Sequence, residues 1–191
     1  MLFILLFVLS YNENQNDDFF TQMSERMGGK KDEAKQSMST DALLVSQLQN
    51  FIEKEKLDEH AQILVDEQKI KLIMNPPLLF LSGKAELLPA GKQLLDGVSE
   101  IMKGVENPIM IEGHTDDRPI HTTQYDSNWD LSFDRAYSVI KYMVSNKGHS
   151  PLQMSGTGYG EFRPIATNDT EVGQDKNRRI EVNIIRIVNV N

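Results

Sequence analysis

The sequence predicts an α/β domain, an α+β two-layer sandwich with a mixed sheet and its helices stacked on one face. Three observations carry that expectation. From Asp41 onward, segments with helical spacing alternate with short segments of strand character, the pattern that layers helices against a sheet. Glycine or proline marks many of the changes between them, at Pro76 and Pro77, at Gly104, at Gly148 and in the run 156–160. Apolar residues make up 39% of the 191, enough for one core, and the charged share is that of an ordinary soluble domain.

The first ten residues, MLFILLFVLS, carry no charge and only one polar side chain. As a helix they span roughly 15 Å, about half a bilayer core. A signal peptide would show a basic start and a small-residue cleavage site, and neither is present. Residues 1–10 therefore read as the C-terminal part of a transmembrane helix. Residues 11–40 are polar, mixed in charge and broken at Gly28 and Gly29, which reads as a linker. Within it Phe19, Phe20, Met23 and Met27 form a short apolar stripe at helical spacing, a segment suited to lie on a membrane or cover a pore.

The domain proper is expected over residues 41–191. Ser39, Thr40 and Asp41 are N-cap candidates for a helix whose inner face is Leu44, Val45, Leu48, Phe51 and Ile52. AQILVDEQKIKLIMN, from Ala61, reads as two short strands joined near Asp66 to Gln68 and closed by Pro76 and Pro77. A helix follows with Leu94, Leu95, Val98, Ile101 and Met102 inward and Gly104 as its stop. NPIMIEG is a short buried strand. The next helix puts Ala136, Val139, Ile140 and Met143 on one face and ends at Gly148. LQMSGTGYG is a strand running into a glycine-rich turn. The last strand points Ile180, Val182 and Ile184 inward and Glu181 and Asn183 outward. The loops 113–120 and 156–160 fall at one edge of such a sheet.

A net charge of −8 argues against a nucleic-acid binder, which needs a basic surface to neutralise phosphates. Without cysteine there is no disulfide framework, thiolate metal site or thiol nucleophile. The densest chemistry lies in IEGHTDDRPI, residues 111–120. His114, Asp116, Asp117 and His121 are possible metal ligands, but neighbours in an extended run point to opposite faces and cannot share one ion. GTGYG has neither the order of a nucleophile elbow nor the following helix of a dinucleotide fingerprint. Recognition of a zwitterion fits better. Asp116 supplies a carboxylate for an ammonium, and Arg135, near the start of a helix, supplies a fork that with free helix N–H groups would hold a carboxylate. Spacing alone leaves open that Asp116 and Arg135 pair with each other or with neighbours such as Asp134.

IEGHTDDRPI, NWDLSFDRAYSVIKYM, GTGYGEFRPIATN and NRRIEVNI, in that order, resemble the OmpA-like peptidoglycan-binding domains, with a motif core over 78–188. Within these the HTDD-R-PI form looks most like the MotB family of flagellar stator subunits. The layout of partial membrane helix, plug candidate, linker and domain is similar too. The ion-carrying aspartate of that family's membrane helix would lie before Met1.

The resemblance implies non-covalent binding of peptidoglycan through its diaminopimelate-containing stem peptide, with no catalysis, cofactor or metal. Asp116 would take the ammonium and Arg135 the carboxylate. Thr115, Asn128, Leu131 and Ser132 would shape the pocket, and Arg178 and Arg179 would stand at the same edge with Asn177 closing the turn. It further implies a homodimer beside a polytopic MotA-like subunit, held in the inner membrane by one span with the domain in the periplasm. Alternatives are a general OmpA/Pal-like wall anchor without a motor role, and a metal-dependent peptidoglycan hydrolase built on His114, Asp116 and His121.

Overall fold

A computed structural model of the chain describes residues 31–186. The apolar segment 1–10 and the stripe of Phe19, Phe20, Met23 and Met27 lie outside the described residues. No helix among the described residues is long and apolar enough to cross a membrane. The domain described below is the compact unit that begins at Ala42.

Helix α1 runs Lys31–Lys54. It begins well before the expected caps, so Ser39, Thr40 and Asp41 sit inside it. The reason lies in KDEAKQ, a run of good helix formers with no breaker to stop the helix short of Asp41. Its Leu44, Leu48 and Ile52 are buried in the core, and Val45 and Phe51 pack against it from partly exposed positions.

Strands β1 (Ala61–Val65) and β2 (Lys69–Met74) form an antiparallel hairpin. Its turn is held by Asp66, whose Oδ1 accepts the amides of Gln68 at 2.8 Å and Lys69 at 2.9 Å. Pro76 opens a single turn, α2 (Pro76–Leu79), and Pro89 opens α3 (Pro89–Ile101), positions where a missing N–H costs nothing. Strand β3 (Ile109–His114), helix α4 (Asn128–Lys147) and strand β4 (Met154–Gly158) form a parallel crossover. A short helix α5 (Glu171–Asn177), which carries no apolar period, precedes β5 (Arg179–Ile185). The sheet order is β1-β2-β5-β3-β4, so the last strand lies between the second and third, antiparallel to both.

One face of the sheet meets the helices. Leu94, Leu95 and Val98 of α3 and Ala136, Val139 and Met143 of α4 close on Ile109, Ile111, Ile180, Val182 and Ile184. Each such aliphatic side chain contributes roughly 1.5–3 kcal/mol by leaving water. The expectation fails on the other face of β5. Glu181 and Asn183 are buried, at 1% and 0% exposure, so the strand is covered on both sides. Glu181 tolerates this because Arg179 Nε at 2.6 Å and Lys71 Nζ at 2.5 Å hold its carboxylate. With these partners outweighing burial, the Glu181 carboxyl lies below the usual glutamate range.

Candidate ligand site at the carboxyl ends of β3 and β4

The turn after β3 and the turn after β4 are stitched together. Tyr159 donates its amide to the carbonyl of Gly113 at 2.9 Å, and Thr115 donates its own to that of Gly160 at 2.9 Å. This realises the expected common edge of loops 113–120 and 156–160. The start of α4 presses on both. A Cβ on Gly113 would meet the carbonyl carbon of Ser132 at 2.8 Å, and one on Gly158 would meet Ser132 Oγ at 2.6 Å and Phe133 Cα at 2.7 Å. The glycines of the two motifs are thus there for close backbone approach. Ser132, fully buried, serves the same junction: its hydroxyl accepts the Gly160 amide at 2.9 Å and donates to the carbonyl of Trp129 at 2.9 Å.

Asn128 begins α4 under a Ser127 cap. Its side-chain amide donates to the carbonyls of Arg118 at 3.0 Å and Asp116 at 3.4 Å, which fixes the 116–118 loop to the helix start. Thr115 Oγ1 donates to the carbonyl of Asp116 at 2.8 Å. Leu131 lies under this loop in a small cluster with Ala85, Tyr125 and Ile120, apart from the main core. Thr115, Asn128, Leu131 and Ser132 therefore build the frame of the loop.

The Asp116 side chain is only 8% exposed, and its Oδ2 bonds to Arg178 Nη1. The Arg118 amide reaches Oδ1 at 3.3 Å and its Nε stands 3.7 Å from Oδ2. Arg178 is also held by Asp175, and Arg118, over half exposed, bonds to Gln174 of α5. Helix α5 thus braces the loop from outside, with Asn177 as its fixed end. That buried side chain accepts the amides of Ile165 and Ala166 and donates to the carbonyl of Ala166 and to Asn168 Oδ1.

Arg135 is not at the helix start but two turns in, because α4 begins at Asn128. It has no free helix amides beside it. It is 4% exposed, stacks over the Phe80 ring at 5.3 Å, and donates Nε to the carbonyl of Lys84 at 2.8 Å and Nη2 to that of Leu81 at 3.2 Å. Nη1 is the guanidinium nitrogen left without a protein partner among the described residues. Burial pushes the Arg135 pKa down to about 10, with Tyr125 and Asp116 opposing the shift and Arg178 reinforcing it. Arg135 stays charged at neutral pH and feels the charges of both Asp116 and Arg178, yet it does not pair with Asp116.

Arg179 does not join them. Consecutive strand residues point to opposite faces, and while Arg178 turns to Asp116, Arg179 lies within the sheet on Glu181 and on the carbonyls of Asn177 and Arg163. His114 likewise turns away from the loop, stacking on Tyr159 at 5.3 Å and facing Glu112 and Glu181. His121 is exposed. The hydrolase set of His114, Asp116 and His121 does not converge. Asp117 only meets Gln174 at 3.5 Å.

Three features escaped sequence reasoning. The Arg178–Asp116 pair and the α5 brace are tertiary contacts with no local signature beyond the Thr170 cap. The third is a set of exposed aromatics: Trp129, Phe133 and Tyr137 at four-residue spacing on α4, with Phe162 edge-on to Trp129 at 5.7 Å. Trp129 and Phe133 line an open cleft of about 540 Å³ with Gln124, Asp126, Asp130 and Gly158. That spacing was legible as an outward stripe.

A sequence profile of the OmpA family matches residues 79–178. Two proteins of Bacillus subtilis align over most of the chain. An uncharacterized protein, YtxE, is 31% identical over 85% of this chain and 66% of its own length. Motility protein B is 34% identical over 73% of this chain and 54% of its own. The chain thus spans between half and two thirds of these relatives. The periplasmic domain of Helicobacter pylori MotB (residues 78-256 of that protein) superposes with a TM-score of 0.62 at 27% identity, covering 68% of this chain and 83% of that one.

Proposed function

The chain belongs to the OmpA family, and from that premise we propose that it binds peptidoglycan without cleaving it and anchors a flagellar stator to the cell wall. The observation that supports this reading is the relation of Asp116 to Arg135. The Asp116 carboxylate and the Arg135 guanidinium attract one another through space, yet each bonds to other groups, Asp116 to Arg178 and Arg135 to two backbone carbonyls. A stem peptide carrying diaminopimelate offers a matching ammonium and carboxylate. In this reading the ammonium takes Asp116, in exchange with Arg178, and the carboxylate takes Arg135 Nη1. Arg178 and Arg118, both braced by α5, complete the cationic side. Arg179 has a different task, holding Glu181 inside the sheet.

The motor assignment rests on the likeness to motility protein B. On that likeness the chain works as a homodimer beside a polytopic MotA-like subunit, tethered to the inner membrane through its N-terminal segment with the domain in the periplasm. The stripe of Phe19, Phe20, Met23 and Met27 is assigned as a plug; deleting 18–28 in a version carrying the complete membrane helix would then produce ion leak and slowed growth in cells with the stator partner, and unchanged growth would contradict it.

Binding is tested by co-sedimentation with insoluble peptidoglycan. The chain should pellet with the wall, and Asp116→Ala should abolish retention while circular dichroism stays native. Full retention of that variant would refute the site.

A further inference from the structure

On the sheet face away from the helix layer, β3 and β5 bring Glu112, His114 and Glu181 together. Glu112 lies opposite Glu181 and His114 opposite Arg179 in the antiparallel register. All three are at least 96% buried, and one ligand atom from each lies within 4.8 Å of the other two. Neither ring nitrogen of His114 has a hydrogen-bond partner. An unmet ring nitrogen in the interior is costly, and Nε2, the one that faces the two carboxylates, is where an occupant would relieve that cost.

The separations say what kind. His114 Nε2 stands 3.5 Å from Glu112 Oε2 and 3.8 Å from Glu181 Oε1. A hydrogen bond from a ring nitrogen would close to about 3.2 Å or less. Two ligand atoms sharing a tetrahedral ion, each roughly 2.1 Å from it, sit about 3.4 Å apart. The distances are long for direct bonding and close to what a shared ion leaves. We propose that Glu112, His114 and Glu181 form a site for a first-row divalent ion, zinc or manganese, which ties β3 to β5 immediately beneath the Thr115–Asp116 loop.

One imidazole with two carboxylates suits these ions better than magnesium or calcium, which favour all-oxygen sets. Glu112 has no Lys or Arg partner among the described residues, so its carboxylate is available to a ligand shared with the neutral His114 ring. Glu181 is shared, because Lys71 and Arg179 already hold it. Two carboxylates and two fixed cations make the cluster neutral before the ion enters, which caps the affinity and marks Lys71 as a competitor. The inference does not depend on what the 113–120 loop binds.

The full chain, stripped with chelator, is titrated calorimetrically with zinc, manganese and magnesium chlorides in turn. One zinc or manganese ion per chain is expected, with no uptake of magnesium at the same concentrations. Glu112→Gln, nearly isosteric, and His114→Asn should each weaken binding by about tenfold or more. The exposed histidines provide the control, so His60→Ala and His121→Ala should bind as wild type. Lys71→Met should tighten binding roughly five- to tenfold by removing a competing charge, an effect no purely structural role of the cluster would give. Absent stoichiometric uptake, binding that survives Glu112→Gln, or binding lost with His60 or His121 overturns the proposal. Should His114→Asn not fold, Glu112→Gln decides.

Discussion

Gly113→Ala isolates the packing that creates the site. The added Cβ would lie 2.8 Å from the Ser132 carbonyl carbon, with the carbonyl oxygen nearer still, whereas ordinary contact begins near 3.4 Å. The nearer carbonyl oxygen sets the requirement, so α4 and β3 must separate by more than the roughly 0.6 Å that the carbon alone would need, and the atoms in the way are backbone that cannot rotate aside. Overpacking of this kind costs typically 1–3 kcal/mol. The same displacement strains the Tyr159-to-Gly113 bond and the Asn128 clamp on the 116–118 loop. Urea unfolding should therefore show a loss of about 2–3 kcal/mol, at the upper end of that range, together with weaker wall retention. Gly104→Ala serves as comparison: nothing lies within 4 Å of its Cβ, and only its φ of +83° is at stake, a loss near 1 kcal/mol. A Gly113→Ala protein as stable as wild type, or less affected than Gly104→Ala, would refute the close-approach reading of the motif.

Other outcomes follow from single side chains. Arg135→Ala removes the stack on Phe80 and two hydrogen bonds to carbonyls, and should cost about 2–4 kcal/mol in urea unfolding; Arg135→Lys keeps the charge but not the fork and should recover less than half. His149 shares a 2.6 Å hydrogen bond with Ser99, and burial holds its pKa below the ordinary 6.5. A depressed histidine pKa means stability that is complete above pH 6.5 and lost as pH falls through the folded value. Thermal scans of His149→Gln should accordingly show a shallower fall in Tm from pH 7 to 5 than wild type, and parallel curves would contradict this. Trp129→Ala leaves a half-exposed site, so stability should change by less than about 1.5 kcal/mol. Wall retention should nonetheless fall severalfold if the aromatic surface beside the loop touches the glycan, and unchanged retention would remove it from the interface.

How much was legible in the sequence depends on the range of the interaction. The helix-facing sets of α3, α4 and β5 could be read because burial on one face imposes a period of 3.6 or 2. Glu181 and Asn183 break the rule: polar residues on alternate positions predict solvent exposure, but Glu181 is compensated by Lys71 from β2 and Arg179 from its own strand. Arg178 and Arg179 looked equivalent as neighbours in a motif, and strand geometry sends them to different faces. Helix α1 starts earlier than the cap-type residues at 39–41 suggest, because they stand inside a run of good helix formers. Helix α5 leaves little trace in the sequence because EVGQDKN has no apolar period. Arg135 could be found by its motif, but its carbonyl partners at residues 81 and 84 come from a loop distant in sequence.

The central claim is that one site reads an ammonium and a carboxylate together. Calorimetric titration with a soluble stem peptide containing diaminopimelate, against the same peptide with lysine at that position, tests it most directly. Lysine keeps an ammonium and lacks the second carboxylate, so its peptide should bind about tenfold or more weaker, in line with the cost of an unmet charged hydrogen bond. Asp116→Asn should abolish binding of both. Equal affinity for the two peptides, or binding that survives Asp116→Asn, would contradict the account.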